Sequence, residues 1–132
     1  MTKQYKVAIV LAGAGVYDGS EIHESILLLY YLDRAGVGVS FFAPDIQQMH
    51  VINHHIQEPE NNAIRYVQQE SARIARGPVQ SLSEFDVNTV DAVLFPGGFG
   101  AAKNLSDFAV NGAQCTINAD VERVIKDMHQ AK

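Results

Sequence analysis

Two carboxylates and an imidazole stand together in "SEIHES", Ser20 to Ser25, directly after the glycine-rich turn "GAGVYDG". An acidic residue in the first turn of a helix interacts favourably with the helix dipole, and that alone accounts for Glu21. His23 sits three places after Ser20, so the segment is not a capping box. Glu24 lies one turn further in, among Ile22, Ile26 and Leu27. Pointing toward the strand ends, it is a partly buried carboxyl. Burial favours the protonated form and suits such a group to proton transfer. Pointing outward, it is one more charge on a solvated helix face.

A second chemical signal is "LFPGGFGAAKNL", Leu94 to Leu105. Pro96 ends an apolar run, and Gly97 and Gly98 let the backbone turn sharply and approach a bound group. Their N–H groups are suited to cradling an anion or a developing oxyanion. An ordinary strand-to-helix turn has the same composition, and the two readings are compatible.

Other candidates are weaker. Glycines after a first strand can hold a pyrophosphate, but the dinucleotide fingerprint needs its third glycine where Asp18 stands, and a carboxylate there faces phosphate charge. Asp45, after Pro44, suits a ribose contact or a turn equally well. His50 and His54 are four apart in "HVINH", a β-branched stretch. In a strand that spacing separates them by roughly 13 Å, too far for one metal. His50, His54 and His55 read instead as loop histidines beside a pocket. Cys115, the single cysteine, has no base beside it in sequence and reads as a small buried hydrophobe. No metal and no cofactor is expected.

The elements that must position these groups follow from periodicity. "YKVAIVLAG" and "VGVSFFAPD" are β-branched apolar runs, read as strands covered on both faces, and "DAVLFPGG" is another buried strand. "SEIHESILLLYYLDRAG" is read as a helix with Ser20 as its N-cap, Gly36 as its stop, and Ile22, Ile26, Leu29, Leu32 and Ala35 inward. "AIRYVQQESARIARG" is read as a helix with Ile64, Val67, Ala72, Ile74 and Ala75 inward and Gly77 as its stop. Residues 46–62 suggest a small hairpin, and "PVQSLSEFDVNTV" a connector with a turn capped by Ser83. A short helix is expected to start in "GAAKNL". The final helix carries Val121, Val124, Ile125 and Met128. Alternating strands and helices argue for an α/β domain with a mostly parallel sheet, whose ligands sit beyond the carboxyl ends of the strands.

The bulk properties set limits. The chain has 132 residues and 47% hydrophobic content, which suits a single domain. Its net charge of −5 has no basic block, arguing against nucleic acid. No apolar run approaches the roughly 20 residues that span a bilayer, arguing against a membrane role. The lysines and apolar stretch at the N-terminus read better as a first strand than as a signal peptide. One cysteine fits a reducing compartment, and the simplest expectation is the cytoplasm.

"GAGVYDGSEIHES", "FAPD", "VINH" and "PGGFGAAKNLSDFA", in this order and over nearly the whole chain, closely resemble the ElbB-type proteins. These are also called enhancing-lycopene-biosynthesis proteins, or isoprenoid biosynthesis proteins with amidotransferase-like domains. They form part of the ThiJ/PfpI superfamily with the class I glutamine amidotransferase-like fold. The resemblance implies a flavodoxin-like three-layer sandwich and a cysteine nucleophile on a strained strand-to-helix elbow. Carried onto this sequence, Glu24 is the acid that contacts the cysteine. Gly98, with Phe99 beside it, supplies the oxyanion amides, and Gly97, Gly15 and Asn104 complete the substrate-binding set. Relatives include cofactor-independent glyoxalases of the lyase type, which convert methylglyoxal or glyoxal to hydroxy acids.

In such proteins a strand and the nucleophilic cysteine follow a helix like "DMHQAK". Cys115 precedes that helix and does not take this place. The expectation is therefore a single but incomplete domain over 1–132, lacking the elbow and inactive alone. The first strand and "DAVLF" should present unpaired edges, covered by a homodimer partner or by a chain completing the sheet. The alternative is a non-catalytic module of the same fold that binds or senses a small aldehyde or anion.

Overall fold

The structure, a computed structural model, describes residues 2–131. Four strands form one parallel sheet: β1 (Lys6–Val10), β2 (Gly38–Ala43), β5 (Gln80–Ser81) and β6 (Ala92–Leu94), in the order β5-β2-β1-β6. β1 pairs with β2 through Ile9 opposite Phe41, and with β6 through Ile9 opposite Leu94. The expected unpaired edge on the first strand is therefore absent, because β1 has a neighbour on each side. β6 forms one edge of the sheet, and its three residues are only half-buried. An apolar strand at an edge reads in sequence like a buried one.

Alternation along β1 divides the core. Val7, Ile9 and Leu11 face Leu28 and Leu32 of α1 (Ile22–Arg34) and Ile74 of α2 (Val67–Ala75). Ala8, Val10 and Ala12 face Phe42, Leu82, and Val121 and Val124 of α5 (Ala119–Ala131). Helices thus cover both faces, giving the α/β sandwich of flavodoxin-like type expected from the sequence. Between β2 and α2 the chain makes the small antiparallel hairpin β3 (Ile52–Asn53) and β4 (Glu58–Pro59). Two short helices, α3 (Gly100–Lys103) and α4 (Phe108–Asn111), follow β6.

Several local expectations need correction. Glu21, not Ser20, caps α1, its carboxylate accepting from Glu24 N–H at 2.7 Å. Ser20 is buried, and its Oγ accepts from Ala12 N–H at 2.8 Å. The inward face of α1 is Ser25, Leu28 and Leu32, while Ile22 and Ile26 are exposed. α2 begins only at Val67, leaving Ile64 exposed, and Arg76, not Gly77, takes the left-handed cap position at φ 57°. The connector holds β5 and two 3-10 turns (Leu82–Glu84 and Val87–Thr89). Ser83 caps neither, and Asp86 caps the second. On α5, Val121 and Val124 are buried and Met128 partly so, but Ile125 is exposed.

Candidate functional site

The carboxyl ends of β1 and β6 meet in a corner built almost entirely of backbone. Glu21 N–H donates to Gly97 O at 2.7 Å, and Gly100 N–H donates to Gly19 O at 2.8 Å. Gly98 adopts φ +114°, and a Cβ there would fall 2.5 Å from Glu21 N and 2.9 Å from Ser20 C. A Cβ on Gly100 would lie 2.5 Å from Gly19 C and 2.6 Å from Ala12 O. Main chain packs directly on main chain, so the start of α1 is held at a fixed position over the β6–α3 turn. Only glycine permits this approach, and at Gly98 only glycine readily adopts the dihedral.

This clamp brings Glu24 to Gly97. A Cβ built on Gly97 would lie 3.1 Å from Glu24 Cδ and nearer still to its Oε2. Glu24 and Gly97, 73 positions apart in sequence, are therefore in van der Waals contact. The N–H groups of Gly97 and Gly98 donate to no acceptor among the described residues. A carboxylate and two available amide donors thus face the same end of the sheet. Glu24 itself is exposed rather than partly buried, because it sits on the open flank of α1 beside the β6 edge.

The remaining candidates have internal tasks. Phe99 N–H donates to Val16 O at 2.8 Å, so that amide is not available to a substrate; its ring points outward and is half-exposed. Asn104 is buried. Its Nδ2 donates to Ala12 O at 2.8 Å and Asp18 O at 3.0 Å, and its Oδ1 accepts from Met49 N–H at 2.9 Å. These bonds tie the β1 turn to the segment after β2. Gly15, at φ +149°, lets the His54 ring and Asp18 approach where a Cβ would collide, and its N–H donates to Ser20 O at 2.9 Å.

The other readings are resolved locally. In "GAGVYDG" the Gly13 N–H donates to Ser71 Oγ at 3.0 Å. With Gly15 also engaged, the glycine amides of a phosphate cradle are occupied internally. Asp18 is buried and turned to the hairpin, its Oδ2 accepting from Ile52 N–H at 2.8 Å. His54 accepts from Tyr17 N–H at Nε2 and contacts Ile52 O through Nδ1. These two contacts hold the ring between the β1 turn and the hairpin. Among the described residues, no three His, Cys, Asp or Glu side chains come together as metal ligands. Cys115 is half-exposed in the loop before α5, not buried as expected. What the sequence reading passed over is Lys103, whose Nζ donates to Tyr17 O at 2.7 Å across 86 residues.

No protein-family model matches the chain. It is 55% identical over 127 residues to the ES1 protein homolog, mitochondrial, of Rattus norvegicus, covering 96% of this chain and 48% of that protein. It is equally similar over 126 residues to glutamine amidotransferase-like class 1 domain-containing protein 3, mitochondrial, of Homo sapiens, covering 96% and 47%. Among solved structures it superposes, with TM-score 0.90 and 36% identity, on an isoprenoid biosynthesis protein with amidotransferase-like domain from Ehrlichia chaffeensis. That match covers 96% of this chain and 59% of the other. The chain spans about half the length of the curated relatives it matches. Its homologues are thus glutamine amidotransferase-like class 1 domain proteins, and its fold is the amidotransferase-like one. The cytoplasmic expectation is overturned: the rat, human and Danio rerio relatives are all named mitochondrial. A lone cysteine reports a reducing environment, not an address.

Proposed function

We propose that the Glu24–Gly97–Gly98 corner is the carbonyl-handling part of a cofactor-independent, glyoxalase-like site for small reactive aldehydes. The observation that carries this reading is the contact of the Glu24 carboxylate with the Gly97–Gly98 turn and its two available N–H donors. In this reading a thiolate adds to the aldehyde carbon of methylglyoxal, and the resulting oxyanion is held by the Gly98 N–H. Glu24 takes the proton from that carbon and returns it to the neighbouring one, giving a thioester of the hydroxy acid. Water releases lactate and restores the thiol, so no external oxidant or reductant is needed.

The thiol is proposed to come from polypeptide that the curated relatives carry outside the half matched here. The same polypeptide is proposed to cover the outer edge of β6, which has no strand partner among the described residues and adjoins exposed Ile22 and Ile26 on one face and Ile125 on the other. Covering that flank would exclude water from Glu24. A mitochondrial site of action, and a role beside isoprenoid synthesis, are proposed only by analogy with the names of the relatives.

The test is lactate formation from methylglyoxal by this chain alone and by the chain joined to the half of a relative that lies outside the match. The expected outcome is no turnover from the chain alone and turnover from the joined protein that Glu24→Gln abolishes. Undiminished turnover in that variant overturns the assignment. A second reading, a non-catalytic aldehyde- or anion-binding module, is favoured by the exposure of Glu24 and the position of Cys115 outside this corner. It predicts ligand binding without aldehyde consumption in either form.

A further inference from the structure

A cavity of about 460 Å³ lies where the turn after β1, the tip of the β3–β4 hairpin, α3 and α4 come together. Tyr17, Phe99, Phe108 and Ala109 supply much of its wall, with Lys103 and Gln57 as its polar groups. Phe99 and Phe108 are each at least half-exposed, an unusual state for two large aromatics lining one hollow. Small-molecule sites have this size and this make-up, apolar walls with a few placed polar groups.

The charge of the cavity is specific. Lys103 Nζ gives one hydrogen bond, to Tyr17 O, and lies 5.7 Å from the centre of the Phe99 ring. An ammonium has three N–H donors, so two remain. Among the described residues no carboxylate pairs with it, although the chain carries a net charge of −5, and no acidic residue lines the cavity. Gln57, at the hairpin tip, lines the cavity and adopts φ 63°, a left-handed conformation uncommon outside glycine. Strain of this kind concentrates at ligand clamps and active sites.

We infer that this cavity binds a small amphiphilic anion, a carboxylate or phosphate monoester on a short hydrocarbon chain. The head pairs with Lys103 and the Gln57 amide, and the tail lies against Phe99, Phe108 and Tyr17. The inference does not rest on the aldehyde chemistry at Glu24; Phe99 is the candidate residue that adjoins both places.

The experiment titrates this chain with hexyl phosphate, hexanoate, inorganic phosphate and hexanol, following the backbone amide resonances of residues 99–110. Saturable shifts with hexyl phosphate or hexanoate are expected, and their relative strength distinguishes a phosphate from a carboxylate head. Inorganic phosphate and hexanol should each bind at least about tenfold more weakly, because each keeps only one of the two contacts. Lys103→Met should weaken the amphiphile at least about tenfold while Lys103→Arg retains it. Since Lys103→Met also removes the bond to Tyr17 O, a second variant is needed: Ala109→Trp, at an exposed wall position, should fill the cavity and abolish binding with an unchanged melting temperature. No saturation by either amphiphile at about 10 mM, a concentration marking affinity too weak for a specific site, overturns the inference. So does parent-like affinity in both Lys103→Met and Ala109→Trp.

Discussion

Helices α1 and α2 lie on the same face of the sheet and use it differently. α2, nine residues long, buries Val67, Ser71 and Ile74. α1, thirteen residues long, buries only Ser25 and leaves Ile22, Ile26, Leu27, Tyr30 and Tyr31 exposed. On the α2 flank β2 is paired with both β1 and β5, and Ala43, Val67 and Val79 form a buried apolar cluster. The α1 flank runs beside β6, whose outer edge has no strand partner among the described residues and whose far side opens onto a hollow of about 350 Å³ lined in part by Phe95, Ile125 and Met128. Where the sheet is closed, helix periodicity and burial agree. Where it is open, apolar residues at good helical spacing remain in solvent. Glu24 and the Gly97–Gly98 turn sit on the open side, which is where a covering segment could deliver a reactive group.

The contrast can be broken by substitution. The largest effect is expected at the rigid corner between the flanks: Gly98→Ala meets backbone on Gly19 and Glu21 at a left-handed dihedral, and should cost about 3 kcal/mol or more. Urea unfolding measures it, and a cost under about 1 kcal/mol would mean the corner yields. Next, Ile74→Ala on the closed flank should cost about 3 kcal/mol, whereas Ile26→Ala on the open flank should change stability by no more than about 0.5 kcal/mol. Equal costs would erase the distinction. Asn104→Ala should cost about 2 kcal/mol, because it leaves Ala12 O, Asp18 O and Met49 N–H without their partner. Smallest, Glu21→Ala should cost about 1 kcal/mol by removing the cap of α1, read as a lowered thermal midpoint.

Much of the layout was legible before the structure. β-branched runs bounded by glycine and proline marked β1, β2 and β6, and the alternation of strands with helices implied the parallel sheet. Two kinds of feature were not. α1 carries apolar residues around most of its circumference, so spacing alone could not tell Leu28 and Leu32, which pack, from Ile22 and Ile26, which do not. Contacts between distant small residues leave no periodic trace. The bonds of Asn104 to Ala12 and Asp18, and the packing of Gly100 against Gly19, come from single residues more than 80 positions apart. At the site, family resemblance named Glu24 and the Gly97–Gly98 turn separately, and the direct contact between Glu24 and Gly97 is seen only in the structure. The exposure of Glu24, which the sequence left open, and the engagement of the Phe99 amide both have local causes. The flank over Glu24 is open, and the Phe99 N–H is already bonded to Val16.

The most direct measurement is methylglyoxal turnover by this chain joined to the half that its relatives carry in addition, compared with the same protein bearing Glu24→Gln. The account predicts lactate production in the first and none above background in the second, with both equally folded. Equal turnover in the two, or no turnover in the first, would contradict the assignment of Glu24 as the proton-transfer group of an aldehyde-converting site.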